Sequence, residues 1–335
     1  MGGLNPRRTA TAELYLPSCK VPSLPDGITG RGSVTFLSPT GQIVSCGGLT
    51  TTSGCSASSS CGDPSKQCFV LNMDWKSEST DAVGRWESSV VGDLTRDRWR
   101  SAVVTLPVGV FVLGGFGGFS TTTSSDFLPV GETTWNRGPS LPIMFVHSCA
   151  VKVSSTRFFI ISNTDSSHGR GIREFDLDRA AGNPTSSSGW LPKDTWPDLL
   201  IRRSGGHGCA IIGNTLVIAG GGSSNKETEI LNLETKVIHR GQDMLGPRSS
   251  FNLFTIFSPE SRPTLLALGG VNNKVEEWDP ESETWREAEK KLDEARSDYG
   301  AVVVDKSLVC GSTITTITSS SSTTTTTTVA AKGDY

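Results

Sequence analysis

The chain has 335 residues, 31 Lys plus Arg against 34 Asp plus Glu, a formal net charge of -3, and 37 glycines among residues that are 35% hydrophobic. So small a net charge excludes bulk electrostatic attraction to nucleic acid or a membrane surface as the basis of function. The apolar runs are five or six residues long, the usual strand length, and none reaches the ~20 needed to cross a bilayer. The length allows two average domains or one large β domain.

In chain order, residues 1–11 form a polar leader with Arg7 and Arg8 and no apolar stretch of the signal-peptide kind. Pro6 spoils the acylation pattern that Met1-Gly2 begins. AELYLP, from Ala12 to Pro17, reads as a strand. From there one phrase recurs: an apolar strand ending in paired glycines. Its copies are IVSCGG (Ile43 to Gly48), VFVLGG (Val110 to Gly115), LVIAGG (Leu216 to Gly221) and LLALGG (Leu265 to Gly270). Weaker copies are FFIISN (Phe158 to Asn163) and LVCGS (Leu308 to Ser312), making six. The steps between their first Gly or Ser positions are 67, 48, 58, 49 and 42 residues, so the unit is near fifty residues with insertions in its turns. Paired glycines suit a strand end where backbone approaches too closely for a Cβ.

Five copies are preceded by an arginine leading into an apolar strand, namely Arg31, Arg100, Arg203, Arg248 and Arg296. The third unit has Ile143 instead, on aligning His147-Ser-Cys149-Ala with His207-Gly-Cys209-Ala. After the glycines comes an acidic or aromatic strand and often a tryptophan, as in Trp278 and Trp285. The last unit lacks these later strands, and the N-terminal segment supplies candidates for them. Beyond residue 312 the chain is nearly pure Ser and Thr, which reads as a low-complexity tail over 313–335.

An arginine-led strand, a hydrophobic run closed by Gly-Gly, and an aromatic separated from a Trp by six intervening residues together resemble the kelch-repeat family. Within it the chain looks most like the divergent, cysteine-containing invertebrate single-chain members. The resemblance covers residues 12–312. It implies an all-β, six-bladed β-propeller of four-stranded antiparallel blades, its last blade closed by the N-terminal strands so that no sheet edge is left open. The blades are expected at 26–93, 96–141, 142–199, 200–246 and 247–294, with the sixth combining 295–312 with the N-terminal strands.

The resemblance implies a non-catalytic module that binds a protein or peptide through its loops and one channel mouth, as a monomer and without cofactor or metal. Arg31, Arg100, Arg203, Arg248 and Arg296 would ring that mouth and suit carboxylate recognition, with His147 and His207 lining the channel. The same arginines, one per blade, equally suit bonding to backbone carbonyls between blades. The alternative class is a galactose-oxidase-like or carbohydrate-active enzyme on the same scaffold. No tyrosine, cysteine and histidine set matches a copper site, and the stretch Asp279 to Trp285 lacks the glycine of a sialidase turn.

Eight cysteines leave two readings open. Cys19, Cys46, Cys55, Cys61, Cys68, Cys149 and Cys209 are disulfide candidates. Cys149 and Cys209 would occupy equivalent places on neighbouring inner strands, and Cys19 and Cys46 would lie close where the last and first blades meet. Pairing would imply an oxidising, extracellular compartment; unpaired thiols inside apolar strands would fit the cytoplasm.

Overall fold

The computed structural model describes residues 32–50, 62–74, 83–162 and 171–305 apart from 119, 223, 259, 260, 271 and 294, together with 12–14, 22, 25 and 326–331. It is an all-β propeller. Strand β1 is Ala12–Leu14. The first blade is β2 (Ser33–Leu37), β3 (Ile43–Gly47), β4 (Cys68–Asp74) and β5 (Val83–Glu87), and the second is β6 (Ala102–Leu106), β7 (Gly109–Leu113), β10 (Ser125–Pro129) and β11 (Asn136–Arg137), with a small hairpin, β8 (Phe116–Gly117) and β9 (Ser120–Thr121), on its loop. The third holds three strands, β12 (Cys149–Lys152), β13 (Arg157–Ile161) and β14 (Ile172–Asp176). The fourth is β15 (Gly208–Ile212), β16 (Thr215–Ala219), β17 (Thr228–Asn232) and β18 (Ile238–Arg240). The fifth is β19 (Phe251–Ser258), β20 (Ser261–Gly269), β21 (Glu276–Asp279) and β22 (Thr284–Glu287).

The count is therefore five blades, not the six expected. The expected last inner phrase, Leu308 to Gly311, lies outside the described residues; the remaining inner strand is β23 (Ala301–Asp305). It pairs with β24 (Thr326–Ala331), which pairs in turn with β1, giving a three-stranded sheet. An exposed valine-rich edge needs an antiparallel partner, and the β-branched end of the Ser/Thr tail supplies one. Part of the tail is thus a strand rather than a loose extension. The two ends of the chain do share a sheet, but through the tail.

In the third blade the fourth strand is replaced by the segment around Trp190, which makes a bridge to Phe175, while the Leu191 amide donates to the Glu174 carbonyl at 2.9 Å. Hydrophobic clusters fill the spaces between successive blades. Phe111 of the second blade packs on Phe158 of the third at 5.3 Å between ring centroids, and Phe158 stacks on Phe175 at 5.1 Å. Strand β7 has Val110 to Leu113 wholly buried, each such side chain contributing about 1.5–3 kcal/mol.

The diglycines hold neighbouring blades together. In Gly47, Gly220 and Gly269 the backbone is left-handed, and a Cβ would lie 2.6 Å from the carbonyl oxygen of Arg98, Arg248 and Arg296 of the next unit. The following glycine donates its N–H to that same carbonyl: Gly48 to Arg98 at 2.8 Å, Gly221 to Arg248 at 2.8 Å and Gly270 to Arg296 at 2.7 Å. Only a residue without a side chain fits this clasp.

The clasped arginines Arg98, Arg248 and Arg296 are buried, as is Arg203, and the side chains of Arg98, Arg203 and Arg248 turn back into their own blades. Arg203 Nε donates to Glu229 at 3.1 Å, and its Nη1 reaches the Gly220 carbonyl. Arg248 Nε donates to Glu276 at 2.9 Å and Nη1 to the Gly269 carbonyl. In the second blade this role belongs to Arg98, bonded to Asp126 at 2.7 Å and to the Gly114 carbonyl at 2.7 Å, and not to Arg100. Burial opposes the charge on Arg98 and Arg203 and lowers their pKa values, while the facing carboxylates act to raise them. Arg296 is buried in the corresponding place.

In the third blade the arginine's place is held not by Ile143, as the sequence alignment has it, but by Phe145, whose carbonyl accepts from Gly115 at 2.7 Å, and the position matching Glu229 is Arg173, which is also buried. Its guanidinium lies beside Gly171, where a Cβ would meet Nη1 at 2.6 Å. The equivalent residue in the second blade, Ser124, is where the Arg98 guanidinium rests. The slot keeps its guanidinium but receives it from the opposite strand.

Removing one partner of a buried pair leaves the other charge uncompensated. Arg203→Ala is expected to lower unfolding free energy in urea by about 3–5 kcal/mol, whereas Arg202→Ala, at the exposed neighbour, should change it by less than about 0.5 kcal/mol.

Candidate functional site

The residue that turns the chain into each inner strand has left-handed backbone. These are Gly32 (φ 67°), Arg100 (56°), His147 (50°), Gly206 (66°), Ser250 (56°) and Asp298 (52°). Their backbones form a closed ring of N–H···O=C bonds. Gly32 donates to Asp298 at 2.5 Å, Asp298 to Ser250 at 3.1 Å, Ser250 to Gly206 at 2.8 Å, Gly206 to His147 at 2.7 Å, His147 to Arg100 at 3.0 Å and Arg100 to Gly32 at 2.8 Å. A left-handed conformation costs about 1–2 kcal/mol for a residue other than glycine, and here it aims each amide along the ring.

Four ring residues carry side chains, and these meet across the channel mouth. Arg100 donates to both oxygens of Asp298, Nε to Oδ1 at 3.1 Å and Nη2 to Oδ2 at 2.5 Å. His147 Nε2 lies 3.1 Å from Asp298 Oδ1 and 2.6 Å from Ser250 Oγ. His147 spans the opening over Gly206, where a Cβ would come within 2.8 Å of Nε2. The Arg100 guanidinium lies 4.6 Å from the centre of the Trp99 ring, which stacks on Phe116. Burial pushes the Asp298 carboxyl up, but the hydrogen bond and charge of His147, with those of Arg100, outweigh it and hold the group well below the usual carboxylate range.

Serine, histidine and aspartate are thus together, yet they do not form a proton relay. A relay uses both imidazole nitrogens, one toward the carboxylate and one toward the hydroxyl. Here Nε2 faces both. One nitrogen shared in this way does not link the hydroxyl to the carboxylate through the ring.

Beyond the ring the channel widens into a cavity of about 540 Å3 lined by all the inner strands, and no ring residue lines it. His207 does. It is not the counterpart of His147, as the shared His-x-Cys-Ala phrase predicts, because the ladder pairs Cys149 with Ile161 and Gly208 with Ala219, shifting the register by one. His207 is buried and donates from Nε2 to the Ile161 carbonyl at 3.1 Å. Burial, then the Arg203 charge, push its pKa down to about 3.

The predicted arginine ring is therefore redistributed. Only Arg100 reaches the mouth; Arg203, Arg248 and Arg296 are buried, and Arg31 lies outside the described residues. Asp298 and Ser250 were not predicted; the position two residues after Arg296 and Arg248 is the signal that would find them. Among the cysteines, Cys149 and Cys209 pair, with Cα atoms 5.9 Å apart, joining the inner strands of the third and fourth blades. Cys46 pairs with Cys68 rather than Cys19, because the two face each other in the β3–β4 ladder with Cα atoms 4.1 Å apart. Cys19, Cys55 and Cys61 lie outside the described residues.

No protein-family model matches the chain, and no curated protein matches it.

His207 gives the pH dependence of folding a defined sign. Its folded pKa lies below its unfolded value, so the unfolded chain binds the extra proton between about pH 6.5 and 3, and stability falls as pH drops through that window. Urea unfolding at pH 6.5, 5.5 and 4.5 is expected to show a loss of roughly 1 kcal/mol or more per pH unit from this residue, and His207→Gln should flatten the slope by that amount.

Proposed function

We propose that this chain is a divergent kelch-type propeller that binds a protein or peptide on the face bearing the backbone ring. The observation that carries this reading is a set of exposed large apolar side chains on that face. Met144, Leu200 and Leu245 are 52%, 45% and 56% exposed, and stand on the successive connections leading into the third, fourth and fifth blades. Their bases are fixed. The Leu200 amide donates to Glu229 at 2.5 Å and the Leu245 amide to Glu276 at 2.8 Å, using the carboxylates that hold the buried arginines.

Rigidly based, water-exposed apolar side chains around a polar centre are the arrangement of an interface hot spot. Arg100 and His147, each about a quarter exposed, supply donors at that centre. The shared use of His147 Nε2 favours recognition over nucleophilic catalysis. Cys46–Cys68 and Cys149–Cys209 are compatible with an extracellular location, and we place the function there.

Selection of displayed peptides against the intact chain tests this. Peptides recovered should lose at least tenfold in affinity against the double variant Leu200→Asp/Leu245→Asp, whose thermal unfolding should be unchanged because both side chains are exposed. Val237→Asp, on the β17–β18 turn, should leave affinity unaltered. Peptides that respond to Val237→Asp and ignore the leucine variants would overturn the assignment.

A further inference from the structure

The cavity behind the ring has features that the peptide-binding reading does not use. Its volume of about 540 Å3 falls within the range of small-molecule pockets, roughly 300–1,000 Å3. At one end, where the inner strands start, the linked side chains of Arg100, Asp298, His147 and Ser250 cross the opening, and none of them lines the cavity. Access is therefore from the other end, where the inner strands finish.

Most polar groups along the wall are already engaged. Ser101 Oγ donates to the Gly114 carbonyl, Ser148 Oγ to the Val146 carbonyl, Asn252 Nδ2 to the Tyr299 carbonyl and Thr105 Oγ1 to the Leu37 carbonyl. Such hydroxyls keep lone pairs for a guest but present no charge. His207 is neutral, since its Nε2 proton is given to the Ile161 carbonyl and its Nδ1 is sealed from the cavity.

Lys152 differs from these. It ends β12, five residues along the chain from the ring residue His147, and so stands at the open end. It is exposed, and among the described residues that line the cavity it is the one with a formal charge. The nearest inner-strand carboxylate at that end, Asp305, finishes β23 and does not line the cavity. A pocket with apolar and hydroxyl walls, crossed by side chains at one end and bearing one ammonium at the other, is complementary to a compact organic anion. Such a guest places its body inside and its carboxylate or sulfonate on the lysine.

We propose that the channel is a ligand site for a small organic monoanion, anchored by Lys152 and entered from the mouth opposite the backbone ring. It is separate from the peptide-binding face, so each site can be tested without the other.

Two fluorescent probes of one skeleton provide the test: 1-anilinonaphthalene-8-sulfonate and its uncharged analogue N-phenyl-1-naphthylamine. The full chain should bind the sulfonate saturably, one per molecule, and at least tenfold more tightly than the uncharged probe. Lys152→Glu should weaken the sulfonate at least tenfold, Lys152→Arg should remain within about threefold, and Lys193→Glu, on the outer segment of the third blade, should have no effect. Thermal unfolding of the Lys152 variants should match the parent, since that side chain is exposed. Absence of saturable binding, equal affinity for the two probes, or a sulfonate affinity indifferent to Lys152→Glu would overturn the proposal.

Discussion

The closed circuit of amide-to-carbonyl bonds through Gly32, Arg100, His147, Gly206, Ser250 and Asp298 is the constraint on which the architecture rests. Each member needs a backbone conformation that four of the six side chains disfavour, and each contributes to the circuit only if both neighbours are in place. The strain is shared, and the bonds that offset it exist only when the inner strands surround the channel. Further out, diglycine clasps fix the first, fourth and fifth blades to the carbonyl of the next arginine, and the second to that of Phe145. Beyond these, the buried arginine and carboxylate pairs tie that arginine to the third strand of its own blade.

This layering separates what folds the protein from what remains available for recognition. The arginines with the strongest sequence signature are consumed by the fold, and so are the carboxylates facing them. At the mouth, Arg100, His147, Ser250 and Asp298 cross the opening, dividing the outer surface of that face from the channel behind it. The two proposed binding surfaces therefore lie on opposite sides of one rigid partition. Neither relies on a moving element.

The propeller was legible because Gly-Gly at a strand end answers a steric demand that recurs in four of the five blades, and the Cys149–Cys209 link because both residues sit on neighbouring inner strands. Other features were not legible, for definite reasons. Arg98 and Arg100 flank Trp99, and only the fold shows that one turns inward to Asp126 and the other across the mouth to Asp298. The separations from arginine to carboxylate, 28, 26 and 28 residues for Asp126, Glu229 and Glu276, would have marked the buried acids. The one-residue shift between His147 and His207 is set by ladder register, which a shared tetrapeptide does not encode. The partner of β23 came from Thr326–Ala331, a segment whose Ser/Thr-rich surroundings read as unstructured although its β-branched residues favour a strand. That Arg173 brings a guanidinium to the slot that Arg98 fills in the second blade, with Phe145 at the arginine's own place, becomes visible only in the fold.

Native-state hydrogen exchange, resolved to single amides, tests the central claim most directly. If the ring is the closing constraint, the amides of Gly32, Arg100, His147, Gly206, Ser250 and Asp298 should exchange together, at a rate set by global unfolding and despite their place in connections rather than strands. Exchange of those amides as fast as the exposed turn at Gly213, or at rates unrelated to one another, would contradict it.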